Sequence, residues 1–269
     1  MSIAVGTPAW IDFATLDSQK SHAFYSGLLS WEFESMGDEF GGYELVRNDG
    51  ELVGGFMDVS GMDPVMMGGE QPKPEWGLFL AVDNLDARTE KAKAAVAEVL
   101  VDTQVVGDSG SFRVLRDPAG ASVSLWQPDQ LDSFDRSERP GAAVWFELVT
   151  NDFDRSVAFY RDVLDFDIHE MPPVPGMDEF RYATNGAEAN ATSGICGAPW
   201  LGAEGTPYWR IYFAVDGADA AAAKVAELGG RITDGPQDSP YGRVMTAVDP
   251  EGVTFQLTSM AEATPMDTP

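Results

Sequence analysis

The stretch "WIDFATLDSQKSHAFY" at residues 10–25 returns 135 positions later as "WFELVTNDFDRSVAFY" at residues 145–160, with seven identities in sixteen positions. Unrelated stretches of that length share about one identity, so the chain carries an internal duplication. A second pair supports it. "EWGLFLAVDNLDA" from Glu75 matches "YWRIYFAVDGADA" from Tyr208, and "RDPAGASVSLWQ" from Arg116 matches "VDPEGVTFQLTS" from Val248. Whatever fold the first half adopts, the second must adopt as well.

Each opening stretch reads as a short strand, an Asp (Asp17, Asp152) placed as an N-cap, and a helix with apolar residues at helical spacing. Phe24, Leu28, Phe159 and Val163 form one stripe, with Tyr25, Leu29, Tyr160 and Leu164 beside it, which predicts core packing rather than a ligand role for the repeated Phe-Tyr pair. Further strands follow as "WEFES", "YELVRN" and "LVGGFM", and in the second half as "FDIHE", "FRYAT" and "TSGIC", separated by Gly and Asn turns. The segments from Trp76 and Trp209 repeat the scheme: a strand, an Asp, then Ala-rich helices over "TEKAKAAVAEVL" and "ADAAAAKVAELG". Each ends in two strands joined by the tight turns DPAG and DPEG. The whole is four βαβββ units.

A length of 269 residues suits two domains, and the 44% hydrophobic content suits real cores. The polar, proline-bounded run "PDQLDSFDRSERPG" marks the join. Boundaries follow at 1–130 for the first domain, 131–141 for a linker, 142–260 for the second domain and 261–269 for a disordered tail. The units can pair as 1 with 2 and 3 with 4, or as the outer two around the inner two. Short connections inside each half favour the first pairing.

Seventeen basic against 44 acidic residues give a net charge of -27, which disfavours nucleic acid and anionic membrane surfaces as partners. The single Cys196 rules out an intrachain disulfide, a CxxC pair and a thiolate zinc site, and it lies far in sequence from His22 and His169. With no apolar run approaching ~20 residues and no basic leader at the start, a cytoplasmic location is expected.

Four βαβββ units, a Phe-Tyr helix after an Asp-capped strand and DPxG before a last strand resemble the vicinal oxygen chelate superfamily, which includes glyoxalase I, extradiol dioxygenases and bleomycin-binding resistance proteins. The likeness is to tandem glyoxalase-like proteins of actinobacterial type and extends over residues 5–258. It implies an α+β fold of two glyoxalase-like domains, each a curved eight-stranded mixed sheet, or cup, with flanking helices. In metal-dependent members, His, Gln or Glu at the start of each unit's first strand and near the end of its last bind a divalent ion. The matching positions here are Trp10, Trp145, Gly77, Arg210, Ser124 and Gln256. These cannot supply the N and O donors a catalytic cation needs, so no metal or other cofactor is expected.

Alternation along the strands places Asp12 with Trp10, Glu147 with Trp145, Phe79 with Gly77 and Tyr212 with Arg210 on the cup side. The last strands add Ser122, Ser124 and Trp126, and Thr254, Gln256 and Thr258. A ligand-binding set follows: Trp10, Phe79, Ser124, Trp126, Trp145, Glu147, Arg210, Tyr212, Thr254 and Gln256. Glu147 and Arg210 are expected to form an ion pair across two strands. The resulting expectation is a metal-free protein, monomer or homodimer, that binds a hydrophobic or aromatic metabolite or antibiotic, in resistance or secondary metabolism. The alternatives are a metal-independent cyclase, isomerase or lyase with Glu147 or Asp12 as general base, and a metalloenzyme with atypical ligands.

Overall fold

The computed structural model describes residues 3–64, 69, 71–131, 133–135, 137–172 and 180–263. The first half runs β1 (Pro8–Thr15), α1 (Ser18–Leu29), β2 (Glu32–Ser35), β3 (Glu44–Asn48), β4 (Glu51–Asp58), β5 (Glu75–Ala81), α2 (Leu85–Ala94), β6 (Glu98–Val106), β7 (Gly110–Arg116) and β8 (Ser122–Pro128). The second half repeats it as β9 (Ala143–Thr150), α3 (Phe153–Leu164), β10 (Ile168–Glu170), β11 (Tyr182–Asn185), β12 (Ser193–Gly197), β13 (Tyr208–Ala214), α4 (Ala218–Glu227), β14 (Arg231–Ser239), β15 (Gly242–Val248) and β16 (Thr254–Ser259). Two mixed eight-stranded sheets result, ordered β2-β3-β4-β1-β5-β8-β7-β6 and β10-β11-β12-β9-β13-β16-β15-β14. Units 1 and 2 therefore share one sheet and units 3 and 4 the other, joined where β1 meets β5 and β9 meets β13.

Asp17 and Asp152 cap α1 and α3, accepting from the backbone N–H of Lys20 at 3.1 Å and of Arg155 at 3.3 Å. The Ala-rich helix of the first half starts earlier and is shorter than its sequence suggests. Asn84 rather than Asp83 caps α2, and Glu98, Val99 and Leu100, expected to be helical, open β6. The helix stops because Val96 adopts a left-handed φ of 70°, a conformation that Gly229 supplies without strain at the matching point after α4. Val96 is 72% exposed, so its side chain gains little in return. Val96→Gly is expected to stabilise the protein by about 1 kcal/mol, seen as a Tm rise of about 2–4 °C in a circular-dichroism melt.

The faces of the sheets opposite the cups meet across the helices. Tyr25 stacks on Trp31 at 5.3 Å between ring centroids, and Trp31 and Trp76 both contact Phe213 of the other half at 5.2 and 5.1 Å. The repeated Phe-Tyr pair is core, as its spacing predicts, with Phe24, Tyr25, Phe159 and Tyr160 all buried. Its tyrosines also do something the spacing does not reveal. The Tyr25 hydroxyl donates to Asp249 and the Tyr160 hydroxyl to Asp117, each at 2.9 Å, so each tyrosine holds the DPxG aspartate of the opposite half.

Within the run expected to be a linker, two residues dock on the sheets. Phe134 is 4% exposed and lies 5.9 Å from the Phe146 ring, and the Phe134 and Asp135 amides bond the carbonyls of Ala9 and Leu52. One aromatic residue in a polar stretch is enough to dock it. The expected tail opens as a single 3-10 turn over Met260–Glu262, and residues 264–269 lie outside the described residues. Among the described residues, no helix is long and apolar enough to cross a membrane.

Candidate functional site

Strand register decides which side chains share a cup. In the first sheet Trp10 pairs with Phe79, Asp12 with both Gly77 and Gly55, and Phe79 with Ser124. In the second, Trp145 pairs with Tyr212, Glu147 with Arg210 and Gly194, and Tyr212 with Gln256. Cross-strand partners point to one face, so the residues expected in each cup do lie on one face of one sheet. Ser122 and Trp126 flank Ser124 on β8, as Thr254 and Thr258 flank Gln256 on β16.

Each first-strand tryptophan is fixed by a tyrosine. Trp10 Nε1 donates to the Tyr43 hydroxyl at 2.8 Å, and Trp145 Nε1 to the Tyr182 hydroxyl at 3.0 Å. Both hydroxyls lie over glycines, since a Cβ at Gly55 would overlap that of Tyr43 and one at Gly194 that of Tyr182. These four residues are absent from the sequence-based site. Their signal is present nonetheless: in both halves a Tyr stands twelve positions before the Gly, as 55 − 43 = 194 − 182. Trp126 is held differently, its indole N–H donating to the Leu131 carbonyl at 3.1 Å. It is 6% exposed and walls the first cup.

The carboxylates at matching positions meet opposite fates. Glu147, 4% exposed, accepts from Arg210 Nε at 2.5 Å, ion-pairs with the Arg210 Nη2 group and accepts from the Tyr212 hydroxyl at 3.1 Å. This is the expected ion pair across β9 and β13. The Arg210 guanidinium also lies over the Tyr212 ring, 5.6 Å from its centroid. Asp12 has Gly77 where Glu147 has Arg210. It is half-buried and has no hydrogen-bond or ion-pair partner among the described residues. Burial, reinforced by the Glu75 charge, pushes its carboxyl up to about 7.

Polar groups elsewhere are few. Gln256, 2% exposed, accepts from Thr246 Oγ1 at 3.1 Å, while its Nε2 is buried without a partner. Cys196 is buried, and burial with the Glu147 charge pushes its thiol up to about 12, which keeps it protonated. His22 faces Glu44 at 2.7 Å and His169 faces Asp167 at 2.9 Å, neither at a cup floor position. A cleft of about 320 Å³ lined by Leu28, Pro140, Ala214 and Lys224 lies between the halves, outside both cups.

The donor set does not fit the divalent ion that metal-dependent vicinal oxygen chelate proteins hold. Two indoles, a glycine and a guanidinium occupy four of the matching positions, and the guanidinium is already bound to the nearest carboxylate. Among the described residues, no three His, Cys, Asp or Glu side chains converge as a metal group would require.

Comparison with known proteins agrees with this architecture. The model of the Glyoxalase/Bleomycin resistance protein/Dioxygenase superfamily matches residues 142–257, and that of a glyoxalase-like domain matches residues 10–126. CFP32 of Mycobacterium tuberculosis, whose name assigns it provisionally to the glyoxylases, is 32% identical over 256 residues, covering 94% of each chain. The anthracycline biosynthesis protein DnrV of Streptomyces peucetius is 30% identical over 271 residues, covering 97% of this chain and 96% of that one. Among solved structures, the Mn(II)-bound glyoxalase of Novosphingobium aromaticivorans superposes with a TM-score of 0.65 at 17% identity, covering 100% of this chain and 86% of that one. The 2,2',3-trihydroxybiphenyl 1,2-dioxygenase of Sphingomonas wittichii gives 0.62 at 17% identity, covering 95% and 91%; at such identity these likenesses concern the fold alone. With two family domains in tandem and relatives similar over nearly their whole length, the chain belongs to the glyoxalase/bleomycin resistance/dioxygenase superfamily.

Proposed function

We propose that this protein binds a hydrophobic or aromatic small molecule in its tryptophan-lined cups without a metal ion, in the metabolism of a natural product. The observation that carries the reading is the replacement of a coordination sphere by fixed aromatic surface. Trp10 and Trp145 stand where metal-dependent relatives begin their ligand set, and each is oriented by a tyrosine hydroxyl. A ring locked through its polar edge offers a preorganised face, so a flat ligand meets it with little loss of side-chain entropy. Gln256 Nε2, buried and unpartnered, supplies a donor for a ligand carbonyl or quinone oxygen. The relationship to DnrV, a protein named for anthracycline biosynthesis, favours a polycyclic aromatic ligand.

Elemental analysis of the purified protein is expected to find no stoichiometric transition metal. Emission from the seven tryptophans should be quenched saturably by flat aromatic natural products, an anthracycline among them, with the ligand recovered unchanged. Trp10→Phe and Trp145→Phe should each lose much of the quenching from their own cup. Iron, zinc, nickel or manganese at full occupancy would overturn the metal-free reading, and tryptophans indifferent to every ligand would overturn the binding reading.

A second reading, a metal-independent lyase or isomerase, draws support from Asp12 rather than Glu147. A general base works best with a pKa near the operating pH and a free lone pair; Asp12, raised to about 7 and without a partner among the described residues, meets both needs, whereas Glu147 holds Arg210 and the Tyr212 hydroxyl through Oε2. Turnover abolished by Asp12→Asn would favour it over simple binding.

A further inference from the structure

The duplication provides an internal template for what the first cup lacks. In the second cup a cation sits in a fixed place, with the Arg210 guanidinium against Glu147 and over the ring of Tyr212. In the first cup the same register puts Asp12 opposite Gly77, with Phe79 in the place of Tyr212. The carboxylate and the aromatic ring are kept, while the cation and the Tyr212 hydroxyl are missing. Gly77 has no side chain to fill the gap, and Asp12 Oδ1 leans over it into the space that a Cβ would take.

We propose that the first cup binds an organic cation, with a protonated amine or guanidinium on the ligand occupying beside Asp12 and Phe79 the place that Arg210 occupies in the second cup. This rests on the reading of the cups as ligand sites and adds the charge of the ligand and the cup that takes it. A carboxylate held half-buried without a counter-ion is costly, and such a cost is repaid when a cationic ligand is bound. The Phe79 ring, whose Cε2 lies 3.6 Å from where a Cβ of Gly77 would stand, adds aromatic surface beside the cation. The second cup, whose carboxylate is already neutralised, takes the uncharged part of a ligand or a separate neutral one.

The acid–base behaviour of the site follows. Apart from Glu75 on β5 and Tyr43 ahead of β3, no titratable group among the described residues acts on Asp12. Its folded-state pKa, about 7 against 3.8 when free, means that the folded protein holds this proton more tightly than the unfolded chain does. Folding stability from this group therefore falls as pH rises from about 4 to 7 and stays low above that. Cation binding runs the other way, growing as Asp12 ionises.

Isothermal titration calorimetry on the full chain at pH 8 tests the proposal with 1-naphthylmethylamine and its uncharged isostere 1-naphthylmethanol. The amine is expected to bind at least tenfold more tightly, and to lose that preference at pH 5. Asp12→Asn should erase the preference while still binding the alcohol, as should Asp12→Glu combined with Gly77→Arg, which rebuilds the internal pair of the second cup. Asp12→Asn changes the net charge of -27 by a single unit, so a loss confined to it does not come from the general acidic field. The same variant should melt higher than the parent at pH 8 and level with it at pH 4, which separates lost binding from lost folding. Equal binding of both probes, or a preference that survives Asp12→Asn, would overturn the cation site and leave the cup reading standing. Failure of both probes to bind would overturn the two together.

Discussion

Asp117→Ala is expected to destabilise the protein by about 3–5 kcal/mol, the largest loss of any single truncation outside the apolar core. Asp117 is 3% exposed and accepts through Oδ1 from the backbone N–H groups of Ala119, Gly120 and Ala121 at 2.8–3.0 Å, and through Oδ2 from Tyr160 at 2.9 Å. Alanine would strand three of these donors, the Ala119 and Ala121 amides and the Tyr160 hydroxyl, while the Gly120 amide keeps the Asp117 backbone carbonyl at 3.0 Å. Tyr160→Phe, which removes the hydroxyl that donates to Asp117 and accepts from Trp209 Nε1 at 3.0 Å but leaves the turn intact, should cost less, about 2 kcal/mol. Urea unfolding followed by tryptophan emission measures both. A loss under 1 kcal/mol for Asp117→Ala would show that water reaches the turn and that the contact between halves carries little of the stability.

Arg210→Ala should be nearly as damaging, about 3–5 kcal/mol at pH 7, for a different reason. It leaves the Glu147 carboxylate, 4% exposed, without a counter-ion and with only tyrosine hydroxyls, those of Tyr212 and Tyr182, beside it. Removing both charges, as in Glu147→Gln with Arg210→Met, should restore most of the loss, because the pair is worth far less than the penalty for breaking it. A double-mutant cycle by thermal melting separates the two quantities. If the double variant is as unstable as Arg210→Ala, the pair contributes net stability rather than merely compensating its own burial.

How much of the molecule could be read from sequence differs from element to element. The strand-helix-strand order was legible because alternation, helical spacing and Asp caps are local signals, and duplication presents each of them twice. Cup membership was legible too. A residue two positions along a strand from a known cup residue must share its face, which is how Asp12, Glu147, Phe79 and Tyr212 were placed. The end of α2 was not, since nothing local announces that Val96 will take a left-handed φ. Nor was the docking of Phe134 and Asp135, whose backbone partners Ala9 and Leu52 are remote in sequence.

The sequence by itself determined that there are two like halves and that each is built of two βαβββ units, because identity and period are carried residue by residue; that the usual metal-ligand positions hold indole, guanidinium and glycine came from the family resemblance laid over those motifs. Only the tertiary structure decided that units pair within halves, that Tyr25 and Tyr160 reach across to the aspartates of the opposite half, and that Tyr43 and Tyr182 fix the cup tryptophans. It also decided that Asp12 stands without a cation while its counterpart Glu147 is paired with Arg210. Each of these is a contact between residues far apart in the chain, and its energy exists only once the sheets have brought them together.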